Sequence, residues 1–202
     1  DFHLGIAERN RLLKNSGSTA ELSAFEAEIA PHASQIASYR EAGMRTLSEV
    51  LCRTYDRIAE ADEGPELSFR PNVDCHDTEA YCRLLHESRK RDQMIGANQR
   101  GPLRDDFNFS PQVGGAREYA SDGQQRGRCV GLRIGQASFC RKQLGLVPVL
   151  LADDVLGELD PIRRQGFWRA CPEDVQVVAT GTELPTGPES WSICEVLNGQ
   201  VE

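Results

Sequence analysis

The chain has 202 residues, of which 39% are hydrophobic and 27% are charged. This composition supports a folded core and excludes a chain that is disordered throughout. No apolar stretch approaches the roughly 20 residues that a membrane helix needs. The net charge of −8 excludes a wholly basic nucleic-acid module but leaves room for a local basic patch. We therefore expect a folded, cytoplasmic protein without membrane contact.

Seven scattered cysteines without a Cys-x-x-Cys pair favour free thiols in a reducing compartment. One group has side chains of the kind that bind zinc, namely Cys75, His76, Cys82 and His86. Cys82 and His86 are four residues apart, so a helix would place them on one face. Structural zinc sites normally include a more closely spaced first pair of ligands, and the pattern therefore favours packed thiols over zinc.

Residues 1–62 are predicted to be helical. Ser18 and Glu21 have the spacing of a capping box, and apolar residues then recur every three or four positions. Pro31 is predicted to kink or split this helix, and the Gly-Pro pair at 64–65 ends it. A single apolar stripe on long helices fits a helical arm as well as ordinary helices on a core, and both alternatives stay open.

The middle of the chain is predicted to contain shorter elements. A strand over 67–69 is followed by a helix over 77–95 and a second strand over 107–109. Gly114 and Gly115 are typical of a hairpin turn.

A further helix is predicted over 124–144, closed by Gly145. Three glycines recur along it at four-residue intervals, although each lowers the stability of a helix interior by about 1 kcal/mol relative to alanine. Their common face predicts close packing against a sheet. These glycines are Gly127, Gly131 and Gly135.

The last part of the chain predicts a parallel strand–helix–strand unit. Residues 147–151 form an apolar run without alternation, as a buried parallel strand does. A short helix over 161–170 and a second apolar strand over 175–179 follow. This order implies a right-handed parallel crossover and hence an α/β fold.

Two motifs next to the predicted helices and strands contain residue types that are common in nucleotide-binding sites. Ser121, Gly123 and Gln124 lie just before or at the start of the helix predicted over 124–144. Backbone N–H groups and the helix dipole favour a phosphate there, although the same pattern also forms an ordinary cap. Asp153 and Asp154 follow an apolar strand, where carboxylates can hold magnesium and orient water, although buried strands also end in Asp at turns.

A third motif, Gly157 to Pro161, starts a helix with Asp160 as its cap. The three motifs together closely resemble the C-terminal half of an ABC-type ATPase of the SMC/RecF kind, and of the RecF family in particular. Residues 121–126 resemble the signature motif of that family. Residues 150–160 resemble its Walker B motif followed by the D-loop.

The resemblance extends along nearly the whole chain. Residues 8–14 resemble the start of the family's helical arm, and residues 101–107 resemble its Gly-Pro-His-Arg-Asp-Asp-Leu stretch. Residues 176–180 match the strand that enters the switch position. The chain departs from the family at several positions. These are Leu103 in place of His, Asp122 in place of Gln, Ala152 before the first acid, and the three helix glycines.

The resemblance implies an α/β fold that forms part of an ABC-type P-loop ATPase head with a helical arm. Residues 1–90 would form the arm domain and residues 91–202 the C-terminal part of the head. The family's P-loop lies in an N-terminal lobe, whereas no G-x-x-x-x-G-K-[ST] occurs in this sequence. We therefore expect the chain alone to bind ATP weakly or not at all, and to expose apolar sheet surface.

The resemblance also implies a role for each motif in a dimer that closes around ATP and Mg²⁺. Asp153 would hold Mg²⁺ and Asp154 would position the attacking water, while Thr180 or Thr182 would occupy the switch position. Signature residues would contact the γ-phosphate across the dimer, and D-loop residues would pair across the interface. They are Ser121, Gly123 and Gln124 in the signature and Glu158, Leu159 and Asp160 in the D-loop.

The implied partners are duplex DNA near single-strand gaps, a second copy of the chain, and RecO and RecR. Arg126, Arg128 and Arg133 crowd the signature helix and could contact DNA phosphates, or they could form a solvated basic face. Two functions stay open. The intact Asp153-Asp154 pair favours half of a DNA-repair ATPase, whereas Asp122 and the helix glycines favour a non-hydrolytic interaction and dimerisation module.

Overall fold

The computed structural model describes residues 2–59, 65–111, 122–182, 192–197 and 199–201, with side chains described except at 110, 111, 122–125 and 201. The predicted turn at Gly114 and Gly115 lies outside these residues. The described helices and strands are α1 (Phe2–Lys14), α2 (Thr19–Ile58), β1 (Pro65–Arg70), α3 (Thr78–Ile95), β2 (Asp106–Pro111), α4 (Asp122–Leu144), β3 (Leu150–Ala152), α5 (Pro161–Ala170), β4 (Val177–Ala179), β5 (Val196–Leu197) and β6 (Gln200–Val201).

The chain divides into two compact units. Unit 1 comprises Asp1–Glu49 and Glu66–Ser110, and unit 2 comprises Val50–Pro65 and Pro111–Glu202. The 40-residue helix α2 contributes to both, so these units do not follow the predicted boundary after residue 90. The assignment of an arm domain and a head domain stays a prediction.

The start of α2 has the predicted capping box. The backbone N–H of Glu21 donates to Ser18 Oγ over 3.2 Å, and the backbone N–H of Ser18 donates to Glu21 Oε2 over 3.0 Å. Of the two outcomes predicted at Pro31, a split is wrong, because α2 continues through it, and a kink stays a prediction. Ile29 and Ala33 on either side are fully buried, and their packing outweighs the local propensity.

A buried charge network joins the three helices of unit 1. Arg9 of α1 is fully buried and donates to Glu26 of α2 and to Asp92 of α3 over 3.1 and 2.8 Å. Arg89 of α3 also binds Glu26, so two cations are paired with two carboxylates. Asn98 accepts a further bond from Arg9 over 2.9 Å. Because buried charges must be paired, this network fixes the register of the helices.

The segment that resembles Gly-Pro-His-Arg-Asp-Asp-Leu is locked to unit 1 at its first residue. Gly101 has φ of 111°, and a Cβ there would lie 2.0 Å from the Tyr81 hydroxyl oxygen, so only glycine fits. Asp105 accepts bonds from Arg40 Nη1 over 2.8 Å and from the Asn72 backbone N–H over 2.9 Å. This motif therefore has a structural role in the fold.

Unit 2 contains the predicted parallel strand pair. Strand β3 pairs with β4 in parallel, with Ala152 opposite Ala179. The prediction that the first strand is buried is wrong, because Leu151 is 77% exposed and Val149 is 52% exposed. Strands β3 and β4 form a two-stranded sheet in the described residues. Only one face of this sheet packs on the core, so the expected exposed apolar sheet surface is present.

Two of the glycines of α4, Gly131 and Gly135, pack on α2, and Gly127 lies against Arg163 of α5, which corrects the prediction that the three pack on a sheet. A Cβ on Gly131 would lie 3.1 Å from Tyr55, and one on Gly135 would lie 3.5 Å from the Cα of Leu51. Both neighbours belong to the last turns of α2. Small residues at four-residue spacing let two helix backbones approach closely, and a helix pair needs this as much as a helix on a sheet.

All seven cysteines are free thiols. Burial raises the pKa of the Cys171 thiol to about 12, so it stays protonated and unreactive at neutral pH. Across the part of the chain that the structure describes, no group of three or more His, Cys, Asp or Glu side chains could hold a metal ion. No helix in that part is long and apolar enough to cross a membrane.

Two buried helix glycines of unit 2 are expected to respond oppositely to alanine. Gly135→Ala gains helix propensity and meets only ordinary contacts, so we expect the free energy of unfolding to rise by up to about 1 kcal/mol. Gly166→Ala would place a Cβ 2.4 Å from the backbone oxygen of Ile58, which we expect to cost about 2 kcal/mol. Urea unfolding of both variants measures the difference, and equal effects would refute this packing.

Candidate functional site

The two carboxylates of the Walker B-like motif lie at the carboxyl end of β3. Asp153 and Asp154 are both exposed there, directly after the last paired residue, Ala152. Thr180 follows β4 and lies beside them, because the parallel register brings both strand ends to the same edge. Its hydroxyl donates to Asp153 Oδ1 over 2.6 Å and accepts from the Asp154 backbone N–H over 3.0 Å.

The backbone turns sharply at Asp154. Its φ of 54° lies in the left-handed region, which Asp adopts more readily than most residues because its short polar side chain tolerates it. The N–H that this turn exposes is the one bound by Thr180. Thr180 therefore holds both the side chain of Asp153 and the backbone of Asp154.

The D-loop-like residues follow on a short 3₁₀ turn, Leu156–Glu158. Leu159 is only 3% exposed and packs in the core of unit 2, so its side chain is turned away from solvent. Asp160 caps α5 by accepting from the Arg163 backbone N–H over 2.9 Å, and this bond holds the pKa of the Asp160 carboxyl below its usual value. Of the three predicted interface side chains, Glu158 is exposed and Asp160 is partly exposed.

Each D-loop residue is bound by an arginine. Arg126 Nε of α4 lies 3.4 Å from Glu158 Oε2, and Arg164 Nη2 donates to the Leu159 carbonyl oxygen over 3.4 Å. Arg163 pairs with the Asp160 carboxylate. Arg163 and Arg164 were not predicted as D-loop partners, although their positions three and four residues after a capping Asp are the available signal.

The signature-like residues are only partly described. Ser121 lies outside the described residues. Gly123 and Gln124 lie in the first turn of α4, and only their backbone is described. The structure therefore places the backbone of this motif at a helix N-terminus, as expected, and the phosphate-binding roles stay predictions.

The three candidate DNA-binding arginines do not share one face of α4. Arg126 and Arg133 are seven residues apart and lie on the same side, whereas Arg128 lies about 200° further round than Arg126. Arg126 is paired with Glu158, and Arg133 donates to Gln136 over 3.1 Å. Arg128 is partly buried. A common phosphate-binding row along this helix would thus include Arg126 and Arg133 at most.

Asp153 is chemically suited to a magnesium ion. An exposed carboxylate at a strand end supplies the oxygen ligand that Mg²⁺ prefers. In nucleotide sites Mg²⁺ commonly takes one or two carboxylates, and phosphate and water oxygens fill the remaining positions. One or two acids at this edge therefore fit a nucleotide-bound ion better than a metal site made wholly of protein groups.

Comparison with known proteins identifies relatives along almost the entire chain. DNA replication and repair protein RecF of Symbiobacterium thermophilum is 33% identical over 192 residues, which span 89% of this chain and 50% of that protein. RecF of Agathobacter rectalis is 30% identical over 209 residues, spanning 100% of this chain and 57% of that protein. The chain thus spans about half the length of the curated relatives that it matches. No family model matches.

Solved structures give the same result for the fold. A structure of the recombination mediator protein RecF-ATP in the RecFOR pathway matches the whole chain and 56% of its own, with a TM-score of 0.77 and 22% identity. These findings confirm the resemblance to RecF proteins and the predicted fold. The roles of individual site residues are not tested by them.

Removing the Thr180 hydroxyl tests its position between the two strand ends. We expect Thr180→Val to lower the free energy of unfolding by about 1 kcal/mol, because Asp153 and the Asp154 N–H both lose a partner. Hydrogen exchange at the Asp154 amide should also become faster. Thr182→Val is the matched control at an exposed position two residues further on. Equal exchange in both variants would contradict the placement of Thr180.

Proposed function

We propose that this chain, a homologue of RecF over nearly its whole length, is the signature, Walker B and D-loop half of an ATPase that acts in DNA replication and recombinational repair. One observation carries this proposal. The parallel pairing of β3 with β4 presents Asp153 and Asp154 at an exposed edge beside Thr180. The D-loop-like residues follow within a few positions.

In the proposed site the two carboxylates have different tasks. Asp153, whose carboxylate is oriented by the Thr180 hydroxyl, would hold Mg²⁺ together with phosphate oxygens, and the ion would stabilise charge on the phosphates. Asp154 would orient the attacking water and accept its proton. Its exposed carboxylate supports this separation of roles, and so does Thr180, which binds the side chain of Asp153 but the backbone N–H of Asp154.

The dimer supplies the remaining contacts. Ser121, Gly123 and Gln124 would face the γ-phosphate of ATP held by the partner copy. The helix N-terminus at Asp122 supports this assignment, because backbone N–H groups at such a position favour anions. Glu158 and Asp160 would meet the partner at the interface, whereas the buried Leu159 would support them from within the core.

ATP binding in this proposal requires a P-loop from outside these 202 residues. The sequence contains no P-loop motif, and the relatives are about twice as long as the part that they share with this chain. The exposed apolar face at Val149 and Leu151 supports a further lobe that covers the sheet. The complete protein would then bind ATP, close into a homodimer and release it after hydrolysis.

DNA and protein partners follow from the named relatives. RecF proteins are described as replication and repair proteins, and one structure belongs to the RecFOR pathway. We extend this to duplex DNA near single-strand gaps and to RecO- and RecR-like mediators in the cytoplasm. Arg133 would contribute a phosphate contact, whereas Arg126 is paired with Glu158, and such contacts would make DNA affinity decrease with salt.

A second candidate function is a dimerisation module without hydrolysis. In the sequence, the three glycines of α4 favoured this alternative because they depart from the pattern of the family. Their close packing on α2 and on Arg163 of α5 gives them a structural reason, so they no longer support a loss of catalysis. Asp122 still favours this alternative, because its negative charge would oppose the binding of a nearby γ-phosphate.

Asp154→Asn separates the two functions in a protein that joins this chain to a P-loop lobe. We expect ATP turnover to fall about a hundredfold, because the amide cannot accept the proton of the attacking water. ATP-driven dimerisation should persist, because the charge of Asp153 is retained. Steady-state phosphate release and sedimentation with ATP measure the two properties.

Asp174→Asn is the matched control, because it makes the same substitution at another exposed site of unit 2. Turnover unchanged by Asp154→Asn would refute the role of Asp154. Dimerisation of the unsubstituted protein to the same extent with and without ATP, together with no turnover, would favour the interaction module.

A further inference from the structure

The D-loop-like turn is attached to the signature helix at two points within unit 2. The first is the ion pair between Arg126 of α4 and Glu158, with 3.4 Å between Nε and Oε2. Both side chains are about half exposed, so the pair lies at the surface and is accessible to solvent. It joins the second turn of α4 to the end of the 3₁₀ turn.

The second attachment uses the glycine that follows Arg126. A Cβ on Gly127 would lie 3.1 Å from both Cδ and Nε of Arg163, so the absence of a side chain lets the arginine stem lie against α4. The same guanidinium pairs with the Asp160 carboxylate. Arg163 is largely buried, with 19% of its side chain exposed, so its position is restricted by packing as well as by charge.

We propose that Arg126 and Arg163 are positioning residues that clamp the D-loop onto the signature helix, so that the two motifs meet a second copy of the chain as one rigid element. This inference rests on the proposed function, in which both motifs face the partner. The clamp consists of Arg126, Gly127, Glu158, Asp160 and Arg163. Closure over the partner's ATP would then order one element instead of two, which lowers the entropic cost of dimerisation.

A second ion pair of α4 lies outside the clamp and provides a control for it. Arg141, near the end of the same helix, lies 2.7 Å from Asp174, and both side chains are about half exposed. This pair has the same chemistry as Arg126–Glu158, but it lies four turns further along α4 and involves no D-loop residue. Arg141→Glu is therefore a matched control for Arg126→Glu.

The first measurement is hydrogen exchange of the D-loop amides without nucleotide. Arg126→Glu places two carboxylates together, and we expect the amides of residues 158–160 to exchange about fivefold faster, without a matching loss of global stability. The charge-swapped double variant, Arg126→Glu with Glu158→Arg, should restore the original rates. Unchanged exchange in Arg126→Glu, or equal effects of Arg141→Glu, would overturn the clamp whatever the protein does with ATP.

The second measurement is ATP-driven dimerisation of the protein joined to its P-loop lobe. We expect Arg126→Glu to weaken dimerisation about fivefold while ATP binding to the dilute monomer is unchanged, and the charge swap to restore dimerisation. A merely structural role would impair both properties. If exchange responds as expected but dimerisation is unchanged in Arg126→Glu, the positioning role is overturned. If the unsubstituted protein never dimerises with ATP, the proposed function is refuted, and the positioning role of Arg126 and Arg163 in dimerisation is refuted with it.

Discussion

The register of one parallel strand pair is the constraint on which the candidate site depends. Ala152 lies opposite Ala179, and the next residue of each strand therefore reaches the same edge of the sheet. This places the Thr180 hydroxyl within hydrogen-bond distance of both the Asp153 carboxylate and the Asp154 N–H. A shift by one residue would remove Thr180 and reverse the faces of the strand. The short strands thus hold an arrangement that the exposed side chains could not keep by themselves.

The second constraint is local to unit 1 and involves charge instead of strand pairing. Arg9 is buried without exposure to water, and its partners come from helices far apart in sequence. Removing one partner of such a pair leaves an uncompensated buried charge, which makes the network a strong determinant of helix register. Arg9 belongs to the segment that resembles the start of the family's arm. The sequence pattern of that segment is therefore explained in part by folding, since Arg9 is fully buried and paired within unit 1.

Sequence reasoning predicted the elements with strong local signals. The capping box at Ser18, the cap at Asp160 and the parallel strand pair all rest on short-range patterns, and the structure confirms them. It failed where the outcome depends on long-range packing. The glycines of α4 signal a close approach but do not identify the neighbour, and the end of α2 that meets them is about 75 residues earlier. Likewise, an apolar run predicts a strand but not whether both faces are covered. The arginines of the D-loop were missed because an arginine near a capping Asp is common, and its partner is known only from geometry.

Mixing two inactive variants tests the central claim most directly, namely that Asp154 serves the ATP of its own subunit while Ser121 serves that of the partner. Asp154→Asn and Ser121→Arg would each be prepared in the protein with its P-loop lobe, and turnover would be measured alone and after mixing. A mixed dimer has both defects in one site and an intact second site, so we expect about a quarter of the unsubstituted turnover after equal mixing. A mixture as inactive as its components would contradict the account.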